Sequence, residues 1–154
     1  MLHSLDLTFN GIILRPRDAV REHFADVLAR AAANVQLGMT VIVHEQSPRG
    51  CLFTVETTHL WGRHRHERVS TVLDSGDMII ETIGGPATGT RILYTFDVIA
   101  PEKTLVGVHV TAPLRGLTWL LSPFLKVAGR HALDRSFVLS KRSLEGIQAA
   151  KKAG

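Results

Sequence analysis

The chain ends in one long amphipathic helical pattern, from Leu114 to about Lys152, directly after a series of strand-like segments. Those segments run from about Val41 to Thr111 and alternate apolar with polar residues between short turns. A first strand precedes them near residues 2 to 14, and a shorter helix lies near Asp18 to Ala33. This order predicts an α+β fold in which a curved antiparallel sheet of about six to seven strands wraps around the C-terminal helix. We expect such a sheet and helix to enclose a cavity for a small apolar ligand.

The C-terminal pattern has two parts. Ser122 followed by Pro123 is typical of a helix N-cap and the first helical position, so a regular helix is expected after them. The lead-in, Leu114 to Leu121, contains Trp119 and belongs to the densest apolar stretch of the chain, which lies just ahead of Lys126 and Arg130. Core packing, a gate at the cavity entrance and a membrane-touching element remain alternatives for this lead-in.

Length and composition limit the class of protein. With 154 residues, 45% of them hydrophobic and 21% charged, the chain is expected to form a single ligand-binding domain over residues 1–154. No segment reaches the roughly 18 consecutive apolar residues that span a bilayer, and the N-terminus lacks the pattern of a secretory signal. The single cysteine, Cys51, excludes an internal disulfide and a thiolate metal cluster. These features predict a cytoplasmic protein.

The charge of the chain does not indicate a nucleic-acid partner. The formal net charge is +4, from 18 Lys and Arg against 14 Asp and Glu. No run of five like charges occurs, so we interpret the excess as an ordinary basic surface and expect no nucleic acid to bind.

The segment His59 to Arg68 is rich in histidine and is the most unusual of the chain. If Gly62 and Arg63 form a two-residue hairpin loop, His59 faces His66 and Trp61 faces His64. Histidines on one face of a sheet could bind zinc or act as acid and base near neutral pH. We favour a solvated hairpin and predict no metal and no cofactor, because no cysteine is near and a one-residue slip of register would scatter the histidines.

Other candidate residues carry weaker signals. Tyr94, the only tyrosine, shares a strand face with Ile92, Phe96 and Val98, so its hydroxyl needs a polar partner and could orient a ligand. His44 and Glu45 are strand neighbours that point to opposite faces, so they form no dyad. Further candidates are interpreted as structural or outward-facing: His109, Glu56, Glu81 and Cys51. No catalytic residue is predicted.

Two stretches carry a resemblance to a known group of proteins. Gly89 to Val98 looks like the strand after a glycine turn, and Phe124 to Glu145 is similar to the closing helix, of the START-like superfamily, the helix-grip or polyketide cyclase/dehydrase and lipid-transport group. The resemblance covers nearly the whole chain but includes no catalytic motif. The connection Asn34 to Thr40 is short, since many members place a second small helix and a tryptophan there. The resemblance implies a sheet curved around the last helix, and a cavity for lipids, sterols, polyketides, quinones or plant hormones.

The sequence therefore predicts a domain that binds a hydrophobic or amphipathic small molecule, such as a lipid, a quinone or a polyketide-like compound. The expected cavity wall is Phe53, Val55, Tyr94, Phe96, Trp119 and Phe137, with His59 or Tyr94 as the polar anchor. One alternative is an enzyme of the polyketide cyclase/aromatase type that uses a cavity histidine or tyrosine as acid or base. Another is a lipid- or quinone-handling factor in peripheral contact with a membrane. The sequence specifies neither the ligand nor the oligomeric state.

Overall fold

The protein was analysed as a computed structural model, which describes residues 3–33, 39–59, 62–115, 120 and 122–153. Its helices and strands, in chain order, are β1 His3–Ile13, α1 Arg17–Ala25, α2 Val27–Ala33, β2 Met39–Ser47, β3 Gly50–His59, β4 Gly62–Val72, β5 Met78–Gly84, β6 Arg91–Ala100, β7 Lys103–Leu114 and α3 Ser122–Ala153.

The strands form one seven-stranded antiparallel sheet in the order β1-β7-β6-β5-β4-β3-β2. From β2 to β7 each strand pairs with the next one along the chain, as expected for strands joined by short turns. The first strand closes the series by pairing with the last, so that His3 lies opposite Leu114 and Ile13 opposite Thr104. The predicted α+β architecture of an antiparallel sheet with a long C-terminal helix is confirmed.

One face of the sheet is apolar and lies under the helices. In β7, Val106, Val108 and Val110 are buried, whereas His109 between them is half exposed, so the alternation predicted for an amphipathic strand is present. The helix α3 packs mainly on β1, and two glycines allow the close approach. A Cβ atom at Gly11 would overlap the Phe137 ring, and one at Gly129 would overlap the Leu7 side chain.

The first helical segment differs from the prediction of one helix over Asp18 to Ala33. It is divided at Asp26, whose backbone is extended with φ −82° and ψ 99°. The Asp26 carboxylate accepts a hydrogen bond of 3.1 Å from the Ala29 N–H, which is the geometry of an N-cap for α2. Asp26 therefore ends α1 and begins α2, and the second small helix occupies residues that were assigned to the first.

The long C-terminal helix begins at Ser122, as the Ser122-Pro123 pair predicted, and Leu114 belongs to β7 instead. Residues 116–119 and 121, which include Trp119, lie outside the described residues. The far half of α3 is fixed to the end of β1 by Lys141 and Glu145. The Lys141 ammonium donates to the Ile12 carbonyl at 2.8 Å and to the Glu145 carboxylate at 2.9 Å, and the same carboxylate accepts the Leu14 N–H at 2.9 Å.

Within the described ranges, none of the helices combines the length and the apolar character needed to cross a membrane.

Candidate functional site

A cavity of about 400 Å³ lies between the sheet and the helices α2 and α3. Every strand contributes at least one side chain to its wall, and most of these side chains are apolar, among them Leu7, Val41, Ile80 and Val110. On the helix side, α3 presents the small residues Gly129, Ala132 and Ser136, which leave space between the helix and the sheet. The described polar residues of the wall are Arg30, Thr57, Arg68, Tyr94 and Ser136.

Three residues chosen from the sequence for the cavity wall line this cavity. Phe53 and Val55 reach it from β3, and Tyr94 reaches it from β6. All three are buried, as side chains on the inner face of a strand are.

Phe96 and Phe137 are buried but lie away from the described wall of this cavity. The Phe96 ring packs 5.6 Å from the Phe24 ring of α1, in the part of the core below the first helix. The Phe137 ring packs 5.1 Å from the Phe9 ring, where α3 crosses β1. Both residues hold the helices on the sheet at the positions that border the cavity.

The histidine-rich hairpin has a different register from the predicted one. His59 pairs with Gly62, and His64 and His66 lie opposite Thr57 and Val55. Gly62 is thus the first residue of β4, not a loop residue of the hairpin, and its φ of 110° is a conformation that glycine adopts readily. The expected pairing of His59 with His66 is wrong. The side chain of His59 and all of Trp61 lie outside the described residues, as does Trp119.

Arg30 and Tyr94 form the polar pair of the cavity. The Arg30 guanidinium donates a hydrogen bond of 2.9 Å to the Tyr94 hydroxyl, and its central carbon lies 5.1 Å from the centre of the Tyr94 ring. It also lies 5.5 Å from the centre of the Phe24 ring. Tyr94 thus has the polar partner that burial of its hydroxyl requires, and the partner is a cation on α2.

Arg68 is the second cation of the cavity and was not among the predicted residues. It lies on β4 opposite the buried Phe53, and its Nε atom is buried without a hydrogen-bond partner. Burial lowers the pKa of the Arg68 guanidinium, Tyr94 acts in the opposite direction, and Arg30 lowers it further. Ser70, two residues beyond Arg68 in β4, is buried, so the strand places both on the inner face; because β4 carries polar side chains on both faces, alternation in the sequence did not indicate this.

The remaining candidates lie outside the cavity wall. His44 forms a hydrogen bond of 2.7 Å with the Thr54 hydroxyl, and His109 lies 3.5 Å from the Asp6 carboxylate. Glu56 and Glu81 form ion pairs with Arg65 and Arg91, at 3.2 Å and 3.6 Å. In the part of the chain that the structure describes, no group of three histidine, cysteine or acidic side chains is placed to hold a metal ion.

Cys51 has the character of a buried core residue. Burial raises the pKa of its thiol, and the Asp26 carboxylate raises it further. The thiol is therefore protonated at neutral pH and weakly nucleophilic.

Comparison with known proteins identifies the fold. No protein-family model matches the sequence, and no curated protein matches it. Solved structures do match. The Thermus thermophilus protein TTHA0849 superposes with a TM-score of 0.80 at 12% identity, over 92% of this chain and 98% of that one.

Two further structures connect the fold to a described class. A START superfamily protein from Mycobacterium smegmatis has a TM-score of 0.75 at 10% identity, over 93% of this chain and 99% of that one. The Zhui aromatase/cyclase from a Streptomyces species has a TM-score of 0.73 at 12% identity, over 99% and 97%. The chain has the START-like helix-grip fold.

Proposed function

We propose that the protein binds a hydrophobic or amphipathic small molecule, such as a lipid, a quinone or a polyketide-like compound, in the cavity between the sheet and α3. The observation that carries the proposal is the cavity itself, about 400 Å³ in volume and mostly apolar in its wall. This volume lies within the range of about 300 to 1,000 Å³ typical of small-molecule sites. A few polar groups in an apolar wall are the usual means of fixing a ligand's orientation.

The residues of the wall suggest how binding would be divided. Apolar burial against Phe53, Val55 and Ile80 would supply most of the free energy of binding, because removal of apolar surface from water contributes about 25 cal/mol per Å². Arg30, Arg68 and Tyr94 would orient the polar end of the ligand. We assign the protein to the cytoplasm as a single domain with this role.

Catalysis is ranked below binding. None of the described histidines borders the cavity, so a cyclase mechanism would depend on Tyr94, whose hydroxyl already accepts a hydrogen bond from Arg30. A cation beside a phenol can assist proton transfer, but no second acid or base adjoins it among the described wall residues.

Ligand binding can be tested with a variant that fills the cavity. Ala31 lines it from α2, and Leu28 on the same helix is 55% exposed. Native mass spectrometry of protein from its own host should reveal a co-purified apolar molecule, and a panel of lipids and quinones should raise the melting temperature. Ala31→Trp should abolish that shift, whereas the matched control Leu28→Trp should keep it. A protein without bound molecule and without any shift would refute the proposal.

Peripheral membrane contact is a second candidate, and one observation favours it. At the start of α3, Phe124 and Val127 are 74% and 71% exposed, and Leu120 before them is 55% exposed. Lys126 and Arg130 are exposed on the same helix, so apolar and basic side chains face solvent together. This combination suits the surface of an anionic membrane.

The membrane contact can be tested by vesicle sedimentation. The double substitution Phe124→Ser and Val127→Ser should reduce binding to vesicles that contain phosphatidylserine by about tenfold. Each substitution removes an apolar side chain that would be buried in the membrane. The control is Val98→Ser, which removes an apolar side chain that is 61% exposed on β6, away from the start of α3. If the wild type, the double variant and Val98→Ser bind the vesicles equally, the membrane contact is contradicted. A contact that includes the lead-in is contradicted if Trp119→Ala binds as well as the wild type.

A further inference from the structure

We propose that the ligand of the cavity carries an acidic head group, a carboxylate or a phosphate, and that Arg68 binds it with Arg30 and Tyr94 alongside. This inference rests on the proposed binding function and narrows it to amphipathic anions. It follows from the charges of the cavity wall.

Arg68 is held in the cavity without a protein partner for its charge. Its Nε–H is buried and donates no hydrogen bond, and no ion pair of Arg68 occurs in the described part of the chain. The group beside it is the phenol of Tyr94, whose hydroxyl accepts a hydrogen bond from Arg30. A guanidinium that has lost water without gaining an anion is an unfavourable arrangement, and proteins normally compensate it.

Arg30 adds a second positive charge to the same wall. The hydrogen bond to Tyr94 and the contacts with the Tyr94 and Phe24 rings fix its position. Arg30 is also close enough to Arg68 to disfavour the charge of Arg68. Two like charges in one cavity repel each other unless an anion lies between or beside them.

The protein offers no carboxylate to this cavity. All 14 aspartate and glutamate side chains of the chain belong to the described residues, and none of them lines the wall. The carboxylates on the strands around it are engaged elsewhere, as Glu56 is with Arg65 and Glu81 with Arg91. The missing negative charge must therefore come from the occupant.

The chemistry of the head group follows from the donors. A guanidinium binds carboxylates and phosphates through paired N–H groups, and such charge-assisted hydrogen bonds are stronger than those to neutral oxygens. The apolar remainder of the wall accommodates the tail. A carboxylate and a phosphate share this chemistry, so the affinities of two ligands that differ only in these head groups must be compared.

The test compares ligands that share one tail and differ in head group: decanoate, decyl phosphate, decanol and decylamine. Isothermal titration at neutral pH should give an affinity of wild-type protein for at least one anion about ten- to a hundredfold above that for decanol, with decylamine weakest. The tighter anion identifies the head group. Equal affinity for decanol and both anions would overturn this inference and leave the proposed binding function in place. Binding of none of the four would overturn both.

Variants then assign the preference to Arg68. Arg68→Met keeps the length of the side chain without its charge, so the preference for the anion over decanol should disappear while decanol still binds. Arg63→Met removes a charge from an exposed position on the same strand and should keep the full preference. If Arg68→Met keeps it too, the assignment is wrong. Should Arg68→Met fail to fold, Arg68→Lys retains a cation with poorer geometry and should lower the preference without abolishing it.

Discussion

A guanidinium inside an apolar cavity lowers the stability of the empty protein, because its charge has lost water without gaining an anion. Arg68 is in this position, and burial lowers the pKa of its guanidinium. A residue that destabilises the unliganded fold but serves binding is a common feature of functional sites.

Arg68→Met should therefore stabilise the protein in the absence of ligand, by about 0.5 to 2 kcal/mol. The measurement is urea denaturation of ligand-free protein, with Arg63→Met as the control for net charge. If Arg68→Met instead lowers the free energy of unfolding, the guanidinium has an internal role in stability and the account of an uncompensated charge fails.

His23 is a second buried polar residue with a measurable consequence. It is 8% exposed, and its Nε2 atom has no hydrogen-bond partner within the described residues. Burial lowers the pKa of the His23 imidazole below its ordinary value of 6.5, Arg30 lowers it further, and Asp26 acts in the opposite direction. The unfolded chain thus binds this proton at a higher pH than the folded protein does.

Stability should consequently be complete above about pH 6.5 and should fall as the pH decreases below that value toward the lowered pKa of His23. The contribution of this one proton is at most about 1.4 kcal/mol for each pH unit. His23→Leu should make the free energy of unfolding less dependent on pH in this window, and His131→Leu, at an exposed position, should not. Identical slopes for wild type and His23→Leu would contradict the prediction.

A cavity residue could be predicted from the sequence where its strand alternates apolar with polar residues. Phe53, Val55 and Tyr94 lie on strands where apolar residues recur every second position, so their inward direction was readable. In β4 both faces carry polar side chains, so alternation could not show that Arg68 points inward. Its direction follows from its pairing with Phe53 and from the burial of Ser70 two residues further on.

At the scale of elements, boundaries set by local chemistry were harder to predict than the elements themselves. Helical periodicity continues through Asp26, and the break depends on a hydrogen bond from its carboxylate to the Ala29 N–H. Local sequence placed the hairpin loop after β3 at Gly62-Arg63, whereas pairing along the whole of β3 and β4 places Gly62 opposite His59. A shift of this size moves every histidine to a different partner.

Glu145 contributes more to the contact between α3 and β1 than one partner of an ordinary surface ion pair would. Its carboxylate accepts the Leu14 N–H and the Lys141 ammonium, so one side chain links the helix to the end of the strand. Glu145→Ala should lower the free energy of unfolding by about 1 to 2 kcal/mol, the value of one or two hydrogen bonds.

The control for Glu145→Ala is Asp134→Ala, an exposed acidic residue of the same helix, for which a change within about 0.5 kcal/mol is expected. Chemical denaturation of both variants measures the difference. If Glu145→Ala and Asp134→Ala have equal free energies of unfolding, water replaces the hydrogen bonds of Glu145 without a loss of stability.

At the scale of the whole molecule, the architecture was predictable because it depends on the order of helices and strands along the chain, and not on the pairing register of the strands. Strands at regular spacing, one early helix and one long final helix allow few arrangements, and the antiparallel sheet that resulted is the one expected. The cavity was predictable as a consequence of that arrangement. Its charge was not, because it arises from two arginines far apart in the chain, Arg30 and Arg68.

The sheet should not remain folded without its last helix. Phe137 and Leu144 of α3 are buried, and the apolar face of the sheet would meet water without them. A chain that ends at residue 121 should bind the dye ANS and lose its cooperative thermal transition. A sharp transition in that truncated chain, with no dye binding, would show that the sheet is stable alone.

The pairing of β1 with β7 has a consequence for synthesis. Leu114, the partner of His3 in the sheet, is translated long after His3. During that interval Leu5 and Leu7 have neither their neighbouring strand nor α3 to cover them. The hairpins from β2 to β7 can form in order during translation, but β1 stays unpaired until β7 has been translated. β1 is therefore the last strand of the sheet to pair, and this pairing joins residues far apart in the chain, which is the kind of contact that forms slowly.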